Sequence, residues 1–125
     1  MSDKNEEAFE AIMADIVMSY GAMGHVFSHL PVPVQFPRGE INAADARDAV
    51  IRAAQIAQDQ PMPEEQQILM ERTALLWLAA FEMAALFQRA PEPFRAGAAV
   101  HCIMGSDQAM ISLGEWLLSQ EPDDE

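Results

Sequence analysis

The stretch PEEQQILMERTALLWLAAFEMAALFQR, from Pro63 to Arg89, decides how this chain folds. A proline opens it, Glu64 and Glu65 stand in its first turn, and Arg89 lies near its end. That polarity suits a helix dipole, with anions at the N-terminus and cations at the C-terminus. Projected at about 100° per residue, Leu69, Leu76, Ala80, Met83 and Phe87 form one stripe. Trp77, Phe81 and Ala85 fall on a different side, and Glu71, Glu82 and Arg89 collapse onto one narrow strip. A helix apolar nearly all round belongs at the centre of a helical fold.

Working outward, proline and glycine divide the rest of the chain into three more helical segments. The first is expected from about Asn5 to Leu30, with Asp3 and Glu6 at capping-box spacing. Its apolar residues Phe9, Met13, Ile16, Tyr20, Met23, Phe27 and Leu30 alternate at spacings of four and three, a heptad pattern. Met18, Ala22 and Val26 lie on the opposite side. Gly21 and Gly24 inside the pattern are expected to mark a stretch against which something packs closely.

Residues 31–42 form an extended connection, because Pro31, Pro33 and Pro37 forbid a helix there. Val32, Val34 and Phe36 alternate along it and are expected to share one side. They either plug the edge of the core or form an arm that docks on another subunit or partner. The second helix is expected from Ala43 to about Gln58, capped by Asn42, with Asp48 and Arg52 pairing on its surface. The fourth is expected from about Phe94 to Ser119, with a break at Gly105-Ser106-Asp107. Phe94, Ala98, Cys102, Ala109, Leu113 and Trp116 line one of its sides, and Val100, Met104, Ile111 and Leu118 line another. Residues 120–125 read as an acidic tail.

The pattern is therefore all-α: a four- to five-helix, bundle-like single domain over residues 1–125. A bundle needs one apolar stripe per helix, and here at least two helices offer more. A homodimer is expected to cover the surplus, since large exposed apolar patches are uncommon on monomers. Met18, Met62, Met70 and Met110 are the methionines assigned to such an interface.

Charge narrows the function. Twenty carboxylates against seven basic side chains give a net charge of −13, and Lys4 is the one lysine. No basic patch is present to displace counterions from nucleic acid, so direct nucleic-acid binding is not expected. A field of this sign repels anionic membranes and steers basic proteins inward. The acidic N-terminal stretch does not resemble a secretory signal, and a cytoplasmic protein is expected.

Candidate chemistry is thin. His25 and His29 stand one helical turn apart and can reach one metal ion, with His101 or Cys102 as a further ligand, yet two ligands do not make a site. His101 and Cys102 are neighbours that face apart on a helix, and Cys102 falls on the small-residue side. Glu82, aligned with Glu71 and Arg89, reads as part of a solvent strip. Phosphate-binding loops, nucleophile elbows and paired-cysteine zinc motifs are missing from the sequence.

No catalytic residue and no cofactor are expected. The expected function is a non-enzymatic regulator or inhibitor that occludes a protein partner, itself basic, through Met18, Ala22, Val26, Val32, Val34, Phe36, Trp77 and Phe81. Two alternatives stand beside it. One is an acidic nucleic-acid mimic that blocks a basic groove. The other is a ligand- or metal-binding bundle using the histidines or an apolar cavity near Trp77 and Phe81.

Overall fold

A computed structural model describes residues 2–40 and 42–121. Four α-helices follow one another: α1 (Asp3–Phe27), α2 (Ala43–Ile56), α3 (Glu64–Arg89) and α4 (Pro93–Ser119), with a 3-10 turn at Ala57–Asp59. The helices pack as a bundle, and α3 lies against each of the other three. Most of the expected acidic tail, residues 122–125, lies outside the described residues.

The core forms where α1, α3 and α4 meet. Ile16, Met23 and Phe27 of α1 close on Met70, Ala74, Trp77 and Ala80 of α3 and on Ile103 and Leu113 of α4. Trp77 is 2% exposed and donates its indole N–H to the Ile16 carbonyl, 3.0 Å away, so the buried ring keeps a polar partner. The buried stripe of α3 runs through Met70, Thr73, Ala74, Trp77, Ala80, Ala84 and Phe87, not through Leu69, Leu76 and Met83, which are only half-buried. Its outer strip stays open, with Ile68 and Leu75 exposed beside Arg72.

The start of α2 follows expectation, and other helix ends differ from it for local reasons. Ser2 caps α1, accepting from the Asn5 N–H at 3.3 Å, in place of Asp3. The helix stops at Phe27 because Pro31 disfavours helical geometry just before it. The amides of Ser28, His29 and Leu30 tighten into turns, and Leu30 folds back into the core. Asn42 caps α2 through the Asp45 N–H at 2.8 Å. That helix ends at Ile56, and the 3-10 turn carries the chain on to Gln60.

No break interrupts α4 at Gly105-Ser106-Asp107. Ser106 does not cap a new helix. Its buried hydroxyl donates to the Thr73 carbonyl of α3 at 2.7 Å. Gly105 serves close packing: a Cβ there would sit 3.0 Å from the Leu76 side chain. Asp107 accepts from the Ser19 hydroxyl of α1 at 2.7 Å. The three residues that read as a break fasten α4 to α1 and α3.

Surface charges also pair differently. Arg47 of α2 reaches Glu82 of α3 at 3.2 Å, and among the described residues no ion pair joins Asp48 to Arg52. Both Arg47 and Glu82 are well exposed, so the pair contributes at most about 1 kcal/mol.

The connection is held on the bundle by its backbone. The Val34 amide donates to the Phe27 carbonyl at 3.0 Å. Gln60, buried, accepts from the Val32 N–H at 3.0 Å and donates to the Val32 carbonyl at 2.7 Å. Its side chain thus satisfies both backbone groups of one residue, as a neighbouring strand would.

Candidate functional site

α1 and α4 run parallel. Ser19 bonds Asp107, and seven residues further along each helix Val26 lies beside Gly114. Because Gly114 has no side chain, the second halves of the two helices leave a groove of about 350 Å³ between them. Val26, Met110, Gly114 and Leu117 form its floor, and Ile111 and Leu118 stand along its outer wall. Ile111 is 57% and Leu118 68% exposed, large side chains held in water on α4. The α1 rim carries His25 and His29, and the α4 end carries Glu115 and Glu121.

The two rim histidines stack edge to face with ring centroids 4.9 Å apart. His29 Nδ1 lies 2.9 Å from the His25 carbonyl and 3.2 Å from the Ser28 hydroxyl, so that nitrogen is engaged by its own helix end. Among the described residues no group of three or more His, Cys, Asp or Glu side chains is placed to hold a metal ion. His101 is exposed, and Cys102 is half-buried against the core.

The expected interface residues divide into two sets. Met18, 73% exposed, and the exposed Ala22 lie on α1, whose Val26 lines the groove. Val32 is exposed on the connection. Trp77 and Phe36, by contrast, are buried within the chain. Val34 and Phe81 are half-buried against the core, and Phe81 stacks on Trp77 with centroids 5.5 Å apart. Those four are occupied by the fold itself. Of the four methionines assigned to an interface, Met62 and Met70 are buried, Met110 forms groove floor, and Met18 alone is exposed.

Sequence reasoning placed Ile111 and Leu118 on one face of α4 but left them out of the interface. Their spacing of seven, continued back to Met104, carried the signal. The feature that makes the groove, Val26 facing Gly114, joins residues distant in sequence, and no local pattern reports it.

Two further hollows flank the connection. One lies between Val34–Pro37 and α2, where Asp45, Asp48 and Arg52 line it. The other lies beside Tyr20, Gly24 and Arg38. Tyr20 donates its hydroxyl to the Pro37 carbonyl at 3.0 Å. Burial, and secondarily the charge of Asp45, raise its pKa above the ordinary 10.0. Among the described residues no helix is long and apolar enough to cross a membrane. Comparison with protein-family models, curated proteins and solved structures gave no match.

Proposed function

We propose that this protein is a small non-enzymatic interaction module, a regulator or inhibitor that docks a protein partner in the α1–α4 groove and occludes the surface it binds. The observation that carries this reading is the groove itself, with Ile111 and Leu118 exposed along a wall between two helices. Burying such a side chain is worth about 2 kcal/mol, so a partner that covers both gains substantially. The lining combines apolar Val26, Met110, Ile111, Leu117 and Leu118 with polar His25, His29, Glu115 and Glu121, the mixture found in protein interfaces. The acidic surface serves solubility and steers the approach of the partner.

The acidic-mimic alternative draws on net charge alone. Eleven of the twenty carboxylates lie in residues 3–15 and 107–125, whereas a mimic needs its charges set along one surface.

Affinity capture from the source organism, comparing the natural chain with an Ile111→Ser, Leu118→Ser double variant, tests the proposal. Both residues are exposed, so the variant folds. A partner bound by the natural chain at low and high salt, and lost from the variant, supports groove docking. A partner retained by the variant but released by salt contradicts it and favours the mimic.

A further inference from the structure

We infer that the occupant of the α1–α4 groove is an amphipathic helix of a partner protein, with lysine or arginine on the flank that faces α4; the inference rests on the groove being the docking site. Backbone hydrogen bonding argues for a helix. The groove is walled by two α-helices whose own backbone groups are paired internally, and among the described residues no strand offers a free edge. An extended peptide laid on this apolar floor would leave its amides and carbonyls without partners, at a cost of several kcal/mol in total. A helix satisfies them internally and presents side chains alone. A proline-rich segment needs aromatic walls, and the groove lining contains no Trp, Tyr or Phe.

The dimensions agree. The α4 residues that line the groove run from Met110 to Leu118, a row about 12 Å long at 1.5 Å per residue. A helix of about three turns covers that row with anchors at i, i+4 and i+7. The two sides of the groove are electrostatically unlike. Glu115 and Glu121 lie on the α4 side, His25 and His29 on the α1 side, and no lysine or arginine lines the groove. A cationic flank therefore belongs toward α4, which fixes which way the incoming helix faces. The net charge of −13 draws the same kind of partner from a distance. A second copy of this chain brings that same negative charge and carboxylates on its own α4 rim, so it is the poorer occupant.

The test is an amide NMR titration of the full chain with synthetic peptides of about 18 residues, long enough to span the groove. One is an ordered Leu/Lys amphipathic helix, the second its Leu/Glu counterpart, and the third a scrambled Leu/Lys sequence. The ordered Leu/Lys peptide is expected to shift residues 25–29 and 110–121 and to bind roughly tenfold more tightly than either control. The Ile111→Ser, Leu118→Ser variant should weaken it by roughly tenfold. A Glu115→Gln, Glu121→Gln variant should weaken it several-fold at low salt, with the difference fading by about 0.5 M salt.

Equal binding of the scrambled peptide overturns the inference by showing that net charge alone acts. Equal binding of the Leu/Glu peptide in the groove overturns the cationic flank but leaves groove docking standing. Shifts confined to other surfaces overturn both. Self-association without peptide, seen by sedimentation and abolished by the apolar double variant, makes a second copy the occupant and overturns the inference as well.

Discussion

Two grooves flank the second half of α1, and the described residues fill only one of them. On one side Phe36 of the connection is seated against Gly24, where a Cβ would lie 3.2 Å from its ring. The ring stacks on Tyr20 at 5.1 Å and meets Phe27 edge to face at 5.7 Å, and it is 7% exposed. On the other side Val26 faces Gly114, and nothing among the described residues covers Ile111 or Leu118. Both grooves pair a glycine with apolar walls. One is closed by a segment stiffened with prolines and latched by Gln60; the other is left to solvent. Removing side chains from the filled groove should therefore cost stability, and removing them from the open one should cost association.

The largest expected effect is Phe36→Ala, which empties the filled groove and should destabilise the fold by about 3 kcal/mol in denaturant unfolding. Leu118→Ala in the open groove should change stability by less than about 0.5 kcal/mol. Similar losses for the two would erase the distinction between the grooves. Next is Gln60→Ala, which strands the Val32 amide and carbonyl beneath the connection. A loss of about 1–3 kcal/mol is expected, with faster amide exchange at Val32 and Val34 marking release of the connection.

The glycines give a smaller and sharper contrast. Gly114→Ala gains helix propensity, and its Cβ meets Val26 at an ordinary 3.8 Å, so stability should rise by up to about 1 kcal/mol. The same change narrows the open groove and should weaken partner binding. Gly24→Ala gains the same propensity but pushes on Phe36, which is held between Tyr20 and Phe27. Its net gain should be near zero, so thermal melts of the two variants should separate.

Tyr20 contributes the smallest effect. Its folded pKa is raised, so the fold favours the neutral phenol. That contribution is complete below about pH 10, the ordinary ionisation range, and is lost as pH rises through the folded value. Stability should fall more between pH 8 and pH 11 in the natural chain than in Tyr20→Phe; an equal fall in both would deny the phenol its place under the connection.

Much of the bundle was legible in the sequence. The heptad spacing of the first helix, the nearly all-round apolar third helix and the prolines at 31–37 and 91–93 set four helices and placed α3 among them. What the sequence misread depends on contacts between distant segments. Gly105-Ser106-Asp107 has the composition of a break, yet its side chains serve Leu76, Thr73 and Ser19. Gly21 and Gly24 look alike locally, but only Gly24 has a neighbour at close range.

The site shows the same division. Trp77 and Phe36 read as surplus apolar surface because the pattern cannot say which face the chain covers for itself, and the fold buries both. Ile111 and Leu118 sit on an equally visible stripe and stay exposed because Gly114 and the parallel packing of α1 hold a groove open beside them. Periodicity reports how many apolar faces a helix has, whereas tertiary packing decides which of them are left over.

Side-chain footprinting with hydroxyl radicals, on the protein alone and bound to its captured partner, reads out groove docking residue by residue. The partner should protect Ile111 and Leu118 while Val17, on the far side of α1, and Phe94, at the distant end of α4, remain as reactive as before. Protection of Val17 or Phe94 with Ile111 and Leu118 unchanged would contradict groove docking and place the docking surface elsewhere on the bundle.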